Sequence, residues 1–167
     1  MTQAIPKRAN SELVAAAYVR TVVSAYDTAV GAVLQGPDEE TGRVTWGKAG
    51  FVQITGINGT IDPDVPLRRP VVSLDVWAAP PGQSKRPPWN LAFAIAEQII
   101  AATYETRQHT AHVVVTLPTG YPSARVVEFS ALTEPARRPS DPSDYARVGF
   151  DVAISWHGLD DSWTITP

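Results

Sequence analysis

Gly42-Arg-Val-Thr-Trp-Gly47-Lys48 has the spacing of a phosphate-binding loop. In such loops glycines let backbone amides close on an anion, and the lysine meets its charge. The motif then needs a hydroxyl to hold magnesium and a helix whose first amides face the phosphates. Here Ala49 follows, and a strand-like run begins at Phe51, so no nucleotide site is expected. His109 and His112, with His157 as a third ligand, could bring imidazoles together, but their spacing lacks the i, i+4 pattern of helical zinc sites. Asp62 and Asp64 form a carboxylate pair, yet Pro63 and Pro66 make them turn residues and the calcium-loop ligand pattern is absent. Asp160 and Asp161 read the same way. Serine, histidine and aspartate all occur, but no G-x-S-x-G elbow marks an activated serine. The chain reads as a non-enzyme, with no catalytic residue, cofactor or metal expected.

The bulk figures agree. There are 167 residues, enough for one domain with a real core, of which 44% are hydrophobic and 19% charged. A net charge of −3 offers no general attraction to nucleic acid phosphates. There is no cysteine, which excludes disulfides and thiolate metal sites. No export signal or membrane span is read from the sequence. The unusual count is 15 prolines, clustered in connections at 63–70, 80–88 and 135–142. Proline fixes φ, so these connections read as semi-rigid arms.

The elements that would position any site follow from periodicity. The first ten residues are polar and read as loose. Asn10 or Ser11 caps a helix running to about Tyr26, with Val14, Tyr18, Val22 and Ala25 as its apolar stripe. Asp27 to Leu34 is either a ragged extension or a second short turn. Phe51–Ile57 is a strand, followed by the turn signal Asn58-Gly59. Val71–Trp77 is another, with Val72, Leu74 and Val76 on one face. Asn90–Tyr104 is a helix that is apolar nearly all round, so it needs cover on more than one side. A short strand at 112–117 and a longer one at 125–132 follow. The last strand alternates most cleanly: Val148, Phe150, Val152, Ile154 and Trp156 against Arg147, Gly149, Asp151, Ala153 and Ser155. The expected fold is a single α+β domain in the order α-β-β-α-β-β, with helices packed on an antiparallel or mixed sheet.

Five tryptophans stand out. Trp46, Trp89 and Trp163 lie beside turns or termini, where partly exposed aromatics suit subunit interfaces. Local packing over loop roots is the competing expectation. Lys85-Arg86 and Arg137-Arg138 are basic loop pairs whose ordinary fate is solvation, with a phosphate, a nucleic acid strand or an acidic partner surface as the alternative use.

The run Asp64-Val-Pro-Leu-Arg-Arg-Pro-Val-Val-Ser-Leu-Asp-Val-Trp-Ala78 resembles tail terminator proteins of long-tailed phages that infect actinobacteria. Lys85-Arg-Pro-Pro-Trp-Asn90, the helix containing Ala96-Glu97-Gln98-Ile99 and the strand Gly50–Ile57 extend the resemblance. It implies a homo-oligomeric ring, hexameric, that caps the tail tube, stops its growth and offers a joining surface to the head–tail connector at the tail–neck junction of the virion. It also implies DNA passing through the lumen without sequence-specific binding, and no membrane. Another head–tail connector or tail-completion protein, or a small-molecule-binding α+β domain or enzyme, are the alternatives.

Interface residues are expected from type and place: Arg68, Arg69, Asp75, Lys85, Arg86, Trp89, Glu97 and Asp151. Pro66 and Pro70 set the backbone around Arg68 and Arg69. One of these arginines is expected to pair with Asp75, Glu97 or Asp151 of the adjacent protomer, through the two-pronged bond that a guanidinium makes with a carboxylate. The connections at 79–88 and 106–121 are expected to reach neighbouring subunits.

Overall fold

The computed structural model describes residues 7–61, 64–81, 84–109, 113–139 and 144–159, with side chains omitted at 105–109. Helix α1 spans Ser11–Val23, and the Asn10 side-chain oxygen caps it by accepting from the Leu13 N–H at 2.9 Å. A 3-10 turn, Ser24–Tyr26, closes on Asp27 at φ 54°. The tighter winding swings Ala25 outward, so it is exposed and does not join Val14 and Tyr18 in the core.

Seven strands follow: β1 (Ala29–Gly31), β2 (Phe51–Asn58), β3 (Val71–Ala78), β4 (Val113–Val115), β5 (Ala124–Ala131), β6 (Ala136–Arg137) and β7 (Ala146–Gly158). Helix α2, Trp89–His109, lies between β3 and β4. It starts at paired prolines, where the Pro88 carbonyl accepts from the Leu91 and Ala92 N–H groups. Its reach to His109, past the expected end at Tyr104, follows from the strong helix formers Glu105, Arg107 and Gln108.

The strands form one mixed sheet in the order β1-β2-β3-β7-β5-β4, with β6 also on β7. Among the described strand pairs only β1–β2 is parallel. The expected α+β class holds; β4 falls within the short strand expected at 112–117, and β1 and β6 are additions of two or three residues. Helix α2 crosses β3, β7 and β5 in the middle, while α1 touches β1–β2 and β4–β5 from opposite flanks. The sheet therefore curls around the helices. Its concave face carries Val72, Leu74, Val76, Val148, Phe150, Val152, Ile154 and Trp156, all 2% exposed or less. Burial of a side chain such as Leu74 or Ile154 contributes roughly 1.5–3 kcal/mol before entropy is counted. Arg20 in the last turn of α1 donates to the Val30 carbonyl at 3.1 Å and holds the short β1 in place.

Helix α2 meets its need for cover within the chain, from α1 on one flank and the sheet below. The line left to solvent is Asn90, Ala94, Glu97, Ala101 and Tyr104. Asn58-Gly59 does not make a two-residue hairpin. Asn58 is already paired with Val71, residues 59–70 lie between them, and at the end of that connection Arg68 and Pro70 bond to β7.

Candidate interaction surface

The convex face of the sheet carries side chains that sequence alternation sends away from the helices. Here β3 and β7 set Trp77 opposite Arg147 and Asp75 opposite Gly149. Arg147 reaches diagonally to Asp75, Nη2 to Oδ2 at 2.6 Å, and its guanidinium lies 4.9 Å from the Trp77 ring centre. The Trp77 indole donates to Gln53 Oε1 at 3.0 Å, and the Gln53 amide donates to the Ala32 carbonyl at 3.1 Å. One polar chain thus runs from the loop after β1 across β2 and β3 to β7. Diagonal neighbours on adjacent strands are close enough for such pairs.

A second arginine completes it. The residues of β6 alternate too, so Arg137 and Arg138 go to opposite sides. Arg137 stacks on Trp89 at 4.5 Å, and Arg138 crosses Gly149 to bring Nε within 4.0 Å of Asp75 Oδ1. Both arginines are exposed, in keeping with the expected solvation, and the β6–β7 pairing also gives each a partner within the chain. Farther along, Ser73 donates to Asp151 Oδ1 at 2.7 Å, while Ser130 and Ser155 donate to the two Glu128 oxygens at 3.2 and 3.3 Å.

The expected interface residues do not converge on one site. Asp75 is only 4% exposed and belongs to Arg147 and Arg138 of its own chain, which corrects the expectation that it waits for a neighbour's arginine. Burial is the reason: a carboxylate out of water is held by the nearest cation and cannot stand unpaired until assembly. Arg68 is exposed and lies 5.3 Å from the Trp156 ring, its backbone bonded both ways to Trp156. Arg69 is exposed beside a small recess of about 160 Å³ near Ser11 and Pro70. Lys85, Arg86 and Glu97 are exposed; Trp89 and Asp151 are half-buried. Trp46 follows the competing expectation, local packing over a loop root, and not that of a partly exposed interface aromatic. It is 4% exposed and centres a second small core with Phe51 and Ala79, its indole donating to the Gln35 carbonyl at 2.9 Å. Trp163 lies outside the described residues.

A larger cavity, of about 590 Å³, opens at the opposite end of the sheet from Arg68 and Arg69. Pro80, Pro81, Pro88, Leu91 and Tyr145 wall it, and Arg43, Thr45 and Lys48 stand on its lip. The glycine–lysine loop therefore does border a cavity, but not as a phosphate cradle. The amides of Gly47, Ala49 and Gly50 donate to Val44 and Trp46 carbonyls, and β2, not a helix, follows. In the turn that leads to Gly42 and Arg43, Asp38 accepts from Thr41 N–H at 2.8 Å and Thr41 hydroxyl at 2.9 Å. Those bonds, the backbone one foremost, hold its carboxyl below the ordinary value of 3.8.

Among the described residues no three His, Asp or Glu side chains come together as a metal site, and no helix is long and apolar enough to cross a membrane. The expected connections at 79–88 and 106–121 are described only in part, and Asp62, His112, Asp160 and Asp161 lie outside the described residues.

No family model matches the chain, and no curated protein matches it. Among solved structures, a chain from the virion of a native gene transfer agent particle is similar in arrangement. The match covers 88% of this chain and 96% of that one, at 15% identity and a TM-score of 0.45. At that distance nothing of its role carries over.

Proposed function

We propose that this chain is a structural virion protein that self-associates into a ring, six-fold, and caps a phage-type tail tube, meeting the tube protein on one side and the head–tail connector on the other. The observation that carries the reading is the proline-fenced run Asp64–Ala78 with its two arginines, which resembles tail terminators. Its placement supports an assembly role: Arg68 and Arg69 are exposed at one end of the sheet, while the proline-walled cavity lies at the other. Two different ends suit head-to-tail contacts, which close into rings when the rotation per subunit allows. Arg68, Arg69, Lys85, Arg86 and Glu97 are the exposed charged residues proposed to meet neighbours. DNA would pass the lumen without base recognition, consistent with the net charge of −3.

Native mass measurement and negative-stain imaging test the ring, with the protein examined both free and on purified tails, because docking on the tube can itself drive assembly. The expected result is a six-fold ring at the upper end of the tail. A chain that stays monomeric, shows no ring on tails and instead binds a small molecule in the 590 Å³ cavity would overturn the reading in favour of a ligand-binding domain.

A further inference from the structure

We propose that the proline-walled cavity is the receptor for residues 160–167 of a second copy of this chain, with Trp163 as the anchor. The inference rests on the self-associating part of the reading above and names the contact. Two observations carry it.

The first is chemical fit. Pro80, Pro88, Leu91 and Tyr145 give the cavity stiff apolar walls, and its lip holds Arg43 and Lys48 with no carboxylate among the lining residues. The segment Asp160-Asp-Ser-Trp163-Thr-Ile-Thr-Pro167 supplies the complement: two adjacent carboxylates for the cations and, two residues on, an indole for the walls. A flat aromatic in an apolar recess, with opposite charges at the rim, is the usual form of an anchoring contact.

The second is reach. Tyr145, at the cavity, immediately precedes β7, and Leu159 immediately follows it. A strand of 13 residues spans roughly 40 Å. Trp163 stands four positions beyond Leu159, and so can extend about 14 Å from it at most. The segment cannot fill the cavity of its own chain, so the cavity it fits belongs to a neighbour. Such an exchange is directional, one end of each copy entering the opposite end of the next.

The chain has no cysteine, so an engineered pair is unambiguous. One full-length variant carries Thr164→Cys, which keeps the Trp163 indole, and the other Thr45→Cys, an exposed position on the cavity lip. The expected result is a disulfide between the two variants when they are mixed under mild oxidation. A labelled peptide of residues 159–167 should also bind the full-length Trp163→Ala chain. Its affinity should fall about tenfold or more when the peptide carries Trp163→Ala, and again when the chain carries Arg43→Glu with Lys48→Glu. No crosslink, a crosslink only within a chain carrying both cysteines, or a peptide indifferent to these changes overturns the proposal. A ring that forms without the crosslink overturns it and leaves the ring reading standing; a crosslink without a ring supports it and removes the ring.

Discussion

Gly149 provides the gap through which Arg138 reaches Asp75. A Cβ built at Gly149 would overlap the Arg138 side chain and come within 2.7 Å of Asp75 Oδ1. The backbone there is ordinary strand, so the glycine serves space, not an unusual φ. Gly149→Ala should therefore displace Arg138 and crowd the buried Asp75 carboxylate, at a cost of about 1–3 kcal/mol, as other insertions into packed sites do. Adding Arg138→Ala should return only the smaller part of the loss, because the crowding of Asp75 remains. Urea unfolding of the two single variants and the double variant measures the coupling.

The two arginines on Asp75 should differ in weight. Arg147 bonds it at 2.6 Å with its side chain 32% exposed, whereas Arg138 stands at 4.0 Å and is 45% exposed. Arg147→Ala leaves a buried carboxylate with only a distant cation and should cost roughly 2–4 kcal/mol, the exposure of Arg147 trimming the figure for a fully buried pair. Arg138→Ala should cost about 0–1 kcal/mol. Equal losses by denaturant titration would refute this ordering.

Stacking of Arg137 on Trp89 ties β6 to the start of α2. A double-mutant cycle with Arg137→Ala and Trp89→Leu should give a coupling of about 0.5–1 kcal/mol. Zero coupling would mean that the two side chains merely lie near each other.

Asp38 makes the turn before Arg43 pH-dependent. Its carboxyl is held below the ordinary 3.8 because the folded turn bonds the charged form. A depressed folded value means that the stabilisation is fully present above 3.8 and disappears as pH falls through the lower, folded value. The turn at 38–43 should thus stay closed at neutral pH and loosen only in stronger acid. Carboxyl carbon NMR should place the Asp38 midpoint below 3.8, and Thr41→Val should move it upward.

Much of the fold was legible because long half-buried strands announce themselves. Five apolar residues in β7 alternate with polar or small ones, and all five are in the core. Asn10 as a cap was legible for the same reason: the signal is local. Strands β1 and β6 were missed, since two or three residues carry no period and exist only through their partners β2 and β7. The convex-face network was equally hidden. Asp75, Arg147 and Arg138 are widely separated in sequence, and only the register of β3, β7 and β6 brings them together. Sequence marked Asp75 as a charge in want of a partner but could not say that its own chain supplies two.

The bulges have a bearing on how copies of this chain can meet. Among the described residues, strand β1 covers β2 only at Phe51–Gln53, and β4 covers β5 only at Ala124–Val126. In both cases the register slips just beyond that cover, between Ile54 and Gly56 in β2 and between Val126 and Glu128 in β5. A bulge bends and twists the edge it interrupts, which spoils it as a template for another chain's backbone. Each uncovered margin of the sheet is thus blunted where it begins. Copies packed at high local concentration would be kept from zipping together edge to edge, and their association would fall to loops and side chains, whose contacts can be specific and can stop.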